Sequence, residues 1–145
     1  MRVSGAVSEV SGDGAAGVNE EAVTPFTVMI IDDSKTIRRT AESLLKQAGY
    51  RVVTATDGFE ALGLIADDKP DLILMDIVMP RLDGYQTCAL IKQHRVFRHI
   101  PIVMLSSEDG PFDRARGRVV GSDHCVTKPF TREELLHAIE LHTGA

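Results

Sequence analysis

A chain of 145 residues, 43% hydrophobic and 26% charged, has the size and balance of one globular domain with a core of its own. A net charge of −5 and a pI near 5.5 leave no basic footprint for nucleic acid. Two cysteines make no disulfide framework, and neither a signal peptide nor an apolar run of about 18 residues is present, so a cytoplasmic protein without membrane insertion is expected.

Residues 1–25 are rich in Gly, Ala, Ser and Val without periodicity, which predicts a flexible N-terminal tail ahead of a domain over 26–145. FTVMII (26–31) has the length and character of a strand. Residues 34–49 repeat apolar positions at helical spacing (Ile37, Ala41, Leu44, Leu45, Ala48), with Ser34 as N-cap and Gly49 as stop. RVVTA (51–55) is the next strand. A weaker helix follows over 58–70, with Phe59, Leu62, Ile65 and Ala66 on one face. DLILM (71–75) is a strand, and 83–95 a helix turning Cys88, Leu90 and Ile91 inward. IPIVML (100–105) is a strand, 110–121 a helix with Pro111 near its start, and HCVT (124–127) a short strand. The last helix spans 131–142, where Thr131 and Glu134 have capping-box spacing. Five β-α units whose strands are apolar on both faces imply a doubly wound, five-stranded parallel sheet with five helices, closed by right-handed crossovers.

In such a sheet, ligands gather at the carboxyl ends of the strands. There the sequence places Asp32 and Asp33, then Thr56 and Asp57, Asp76, Ser106 and Ser107, and Lys128. Clustered carboxylates repel one another. A divalent cation relieves them, and Mg2+ suits oxygen ligands of this type. With Mg2+ and Lys128, three ionised carboxylates are balanced, until a phosphoryl group adds further negative charge. No Walker-type phosphate loop or Rossmann fingerprint occurs. An Asp nucleophile beside Mg2+, with a lysine and a hydroxyl, suits phosphoryl transfer onto a carboxylate. Phosphatases of the haloacid dehalogenase type need a second Asp two residues after the nucleophile. Val78 holds that position, which argues against them.

MIIDDS (29–34), LILMDIVMPRLDG (72–84), IVMLSS (102–107) and TKPF (127–130) together resemble the receiver domains of bacterial two-component response regulators, over about residues 26–143. The resemblance implies the flavodoxin-like (βα)5 receiver fold, with Asp76 as phosphoacceptor. It implies Mg2+ held by Asp33, Asp76 and the Val78 backbone carbonyl, with Asp32 acting through water. Ser106 and Lys128 would contact the phosphoryl oxygens, and the Lys128–Pro129 bond would be cis. Beyond phosphorylating and slowly dephosphorylating itself, such a domain is no enzyme. Longer stretches, among them MPRLDGYQTCALIK and SSEDGPFDRARGRVVGSD, are similar to stand-alone receivers of type IV pilus (twitching-motility) chemosensory systems. That similarity implies a chemotaxis-type histidine kinase as donor and a pilus motor or regulatory protein as target.

Family members usually carry an aromatic ring or His three residues before the lysine. Here Cys125 stands there, with His124 beside it. Either loop and helix movement around Ser106 carries the switch, or His124 takes part. The stretch after Lys128 is long enough for one helix and too short for an output module, so output through protein contact is expected, from a monomer or weak dimer. Phe112, Arg114, Arg116 and Arg118 form a candidate docking face, although basic residues on a helix are more often simply solvated. Asp57 and Asp109 read as caps or turn residues, Ser107 as a helix start and Cys88 as core. A phosphate sink and a phosphorylation-independent docking module are the alternative functions.

Overall fold

The computed structural model describes residues 25–107 and 111–143, with the backbone alone for 111–114. The predicted tail, apart from Pro25, lies outside the described residues, as do Asp109 and the side chains of Phe112 and Arg114. The elements alternate: β1 (Thr27–Ile31), α1 (Lys35–Gln47), β2 (Arg51–Ala55), α2 (Gly58–Asp68), β3 (Leu72–Asp76), α3 (Gly84–Gln93), β4 (Ile102–Ser106), α4 (Pro111–Val120), β5 (His124–Thr127) and α5 (Arg132–Glu140). All strand pairs are parallel, in the order β2-β1-β3-β4-β5. The chain therefore reverses its winding between β1 and β3, the point where a doubly wound sheet opens a crevice at its carboxyl edge.

Alternation along the strands divides the core into two layers. Met29, Ile31, Ile73, Met75, Ile102 and Met104 face α2 and α3, where Ala61, Ile65, Cys88 and Ile91 are buried. Val28, Ile30, Leu72, Leu74, Val103 and Leu105 face α1 and α5, where Ala41, Leu45, Leu135 and Ile139 are buried. The central strands β1, β3 and β4 are buried along their whole length, and the edge strands β2 and β5 only in part. Core burial pushes the Cys88 thiol up to about 11, consistent with its reading as a core residue.

The predicted caps form. Ser34 Oγ accepts from the Ile37 amide at 3.3 Å, and Gly49 ends α1 with φ +97°, a conformation glycine adopts without a steric penalty. Asp57 caps α2, and Thr131 with Glu134 closes a capping box on α5. Two helix faces differ from expectation. α2 buries Gly58, Ala61 and Ile65, leaving Phe59 53% exposed and Ala66 in solvent; α3 leaves Leu90 45% exposed. In both helices a small residue, Ala61 on α2 and Cys88 on α3, is fully buried in the core, while the larger Phe59 and Leu90 face solvent. β3 and β4 also run one residue further than predicted, so Asp76 and Ser106 are themselves the last residues of their strands.

Candidate functional site

The β1–β3 crevice collects the acidic residues. Asp32 follows β1 directly and is fully buried, Asp76 ends β3 at 5% exposure, and Asp33 faces solvent. One carboxylate oxygen from each of the three lies within 4.8 Å of the others. Two local features hold Asp32. Its Oδ1 accepts the Ser34 amide at 2.8 Å, an Asx-turn, and its carbonyl accepts from Arg38 Nη1 at 2.7 Å. The Asp-x-Ser spacing signals the first bond in the sequence. Nothing local signals the second, so Arg38 escaped the sequence reading.

β5 supplies the cation. Lys128 follows it, and its Nζ lies 3.1 Å from Asp76 Oδ1 and 3.5 Å from Asp32 Oδ2. The Lys128 amide donates to the Ser106 carbonyl at 2.6 Å, tying the lysine to the end of β4, and the Lys128–Pro129 bond is cis. Ser106 is buried at the same edge, in register with Thr127. The sequence-predicted Asp32, Asp33 and Asp76 thus share one crevice with Lys128, and Ser106 ends the adjacent strand.

The electrostatics show a shortage of positive charge. Burial, and then the Asp32 carboxylate, push the Asp76 carboxyl above its ordinary value. Lys128 and the Val78 amide, 3.4 Å from Oδ1, oppose this without cancelling it. Burial pulls the Lys128 ammonium down, but Asp76 and Asp32 outweigh it and hold the ammonium above its ordinary value. Burial leads the rise at Asp76, and the two neighbouring carboxylates lead it at Lys128, so one ammonium is left to offset two buried acids. A hard divalent cation among the three carboxylates would restore the balance, and an oxygen-only donor set suits Mg2+.

The turn after β3 shapes the rest of the crevice. The Gly84 amide donates to the Ile77 carbonyl at 2.8 Å, and a capping box between Asp83 and Gln86 starts α3 there. Beside β5, Cys125 is half-buried and lines a cavity of about 220 Å3 with Ile77, Met104 and Gly117. Burial, and then His142 and His137, lower the His124 imidazole. On α4, Arg116 and Arg118 are exposed, and the Arg116 guanidinium lies 4.3 Å from the centre of the Tyr85 ring.

An edge cluster of acids with a lysine on a 2-1-3-4-5 sheet defines a class, and the family match agrees: the chain belongs to the response regulator receiver domain family, which matches residues 28–140. It is 65% identical over 123 residues to Protein PilG of Pseudomonas aeruginosa PAO1, covering 85% of this chain and 91% of that one. Further curated relatives are longer, and the chain spans 43% to 48% of their length. Among solved structures, chemotaxis protein CheY4 of Vibrio cholerae superposes with a TM-score of 0.79 at 33% identity, over 82% of this chain and 99% of that one. The receiver domain of sensor histidine kinase PA1611 from P. aeruginosa PAO1, solved with a magnesium ion coordinated in its active-site cleft, superposes with a TM-score of 0.77 at 29% identity, over 84% and 100% of the two chains.

Proposed function

We propose that the chain is a phosphorylation-switched signalling receiver whose Asp76 accepts a phosphoryl group from a histidine kinase in an Mg2+-dependent step. The observation that carries this reading is the placement of Lys128 Nζ, 3.1 Å from Asp76 Oδ1, beside three carboxylates gathered within 4.8 Å. A carboxylate oxygen of Asp76 attacks phosphorus in line. The bond from phosphorus to the donor imidazole nitrogen breaks as the bond to the Asp76 oxygen forms, and the nitrogen keeps the electron pair. Asp32, Asp33, Asp76 and the Val78 carbonyl would hold Mg2+, which would neutralise the charge on the transferring oxygens. Lys128 turns from the carboxylate to a phosphoryl oxygen, and the Ser106 hydroxyl donates to another. Transfer replaces one negative charge by about two. That surplus at the strand ends is the force that drives Ser106 and the segment after it into a new arrangement.

The similarity to PilG supports a place in a type IV pilus, twitching-motility pathway, with a chemotaxis-type kinase as donor and a pilus motor or regulatory protein as target. Self-phosphorylation and slow self-dephosphorylation are the only chemistry expected of the chain. No helix among the described residues is long and apolar enough to cross a membrane. A purified chemotaxis-type kinase, autophosphorylated with labelled ATP and then freed of nucleotide, should pass its label to the wild-type chain in Mg2+. EDTA should block that transfer. Equal transfer in EDTA would remove the metal from the reading.

A further inference from the structure

The loop over 77–83 links the acidic crevice to α3, and its backbone is bent at Arg81. The Leu82 amide donates to the Pro80 carbonyl at 2.7 Å, closing a γ-turn centred on Arg81. Arg81 has φ +67°, a left-handed conformation that is costly for a residue with a Cβ and makes this the rarer, strained form of the turn. Strained backbone persists where surrounding contacts over-determine it, and it concentrates at functional sites.

The contacts come from the start of α2. Arg81 Nη2 lies 2.7 Å from Asp57 Oδ2, and its guanidinium lies 4.9 Å from the centre of the Phe59 ring. Asp57 divides its oxygens: Oδ1 accepts the Glu60 amide at 2.8 Å and caps α2, leaving Oδ2 for Arg81. Phe59 packs no core; its exposed ring serves as a platform for the guanidinium. Gly58 lets the start of α2 come close: a Cβ there would meet Thr87 Oγ1 of α3 first and would then lie 3.0 Å from Leu82 Cδ2 of the loop. The base of the loop is already closed by the bond from the Gly84 amide to the Ile77 carbonyl, so these contacts act on its tip.

We propose that Asp57, Phe59 and Arg81 form a clamp that holds the 77–83 loop in the shape presenting the Val78 backbone to a metal ion at Asp32, Asp33 and Asp76. Asp57 and Arg81 are then positioning residues for that ion. The proposal rests on the metal-dependent reading of the site. Outer contacts that orient metal ligands commonly contribute tenfold or more to metal affinity.

The test uses the full chain as wild type, Asp57→Asn, Arg81→Ala and the double variant. Asn retains the cap of α2 while discharging the partner of Arg81. Mg2+ affinity is measured by isothermal titration calorimetry, and exchange of the Leu82 amide is measured in the metal-free protein. Each single variant should weaken Mg2+ binding about tenfold. The double variant should be no weaker than either, because both remove one device. Leu82 should exchange faster in all three. Single variants within about twofold of wild type, or losses that multiply in the double variant, would overturn the proposal. Wild-type protein that takes up no Mg2+ would bring down the site reading itself and the proposal with it. Faster Leu82 exchange with unchanged Mg2+ affinity would leave that reading standing and defeat the clamp's role alone.

Discussion

Asp76 sits where its own charge is unfavourable. The strand buries it, Asp32 repels it, and Lys128 compensates only in part. Its carboxyl is raised above the unfolded value of about 3.9. Its contribution to stability is therefore full below that value and is lost as pH rises through the folded value. Asp76→Asn, which cannot ionise, escapes that loss. In EDTA, the urea midpoint of the variant should gain on wild type as pH rises from about 4 to 7. A difference between the two that stays constant with pH would contradict a raised Asp76 carboxyl. At this scale much of the site was legible: a carboxylate, a hydroxyl or a lysine at the end of an apolar strand stands out against its neighbours. The partners of Asp57 were legible only locally. Its cap to Glu60 spans three residues and shows as a pattern, whereas its pair with Arg81 spans 24 and leaves none.

The junction of β3 and α3 turns a core strand into a helix within one short loop. Gly84 permits it: a Cβ there would lie 2.8 Å from Ile77 Cα and closer still to the Asp76 carbonyl, both of them backbone. Alanine is otherwise the better helix former, so the sign of Gly→Ala depends on the space available. Gly84→Ala should destabilise by about 1–3 kcal/mol through overpacking. Gly63, inside α2 with nothing within 4 Å of a new Cβ, should gain about 0.5–1 kcal/mol from the same change. Urea denaturation of both variants checks this, and equal effects would show that the junction is not tight. Element types and order were legible from periodicity and caps. The faces of α2 and α3 were less so, because Phe59 and Leu90 continue the apolar pattern while the smaller Ala61 and Cys88 are the ones buried.

Across the whole molecule, the sheet order brings together residues far apart in the chain. Lys128 reaches Asp32 over 96 positions and Asp76 over 52. The sequence predicted that convergence through the rule that strand carboxyl ends share one edge, and the 2-1-3-4-5 order delivers it. The missing aromatic ring at Cys125 was also visible in the sequence. Its consequence was not: a small side chain there lines a cavity between α4 and the sheet, shaped by Ile77, Met104 and Gly117 from three other segments. The proposed phosphoryl transfer ends on one group, the Asp76 carboxylate. The chain should be incubated with Mg2+ and acetyl phosphate, reduced with borohydride to convert any acyl phosphate to the alcohol, and mapped by peptide mass spectrometry. Homoserine at position 76, absent when Mg2+ is withheld, is the predicted result. Reduction at another carboxylate, or a phosphoryl label that persists in Asp76→Asn, would contradict it.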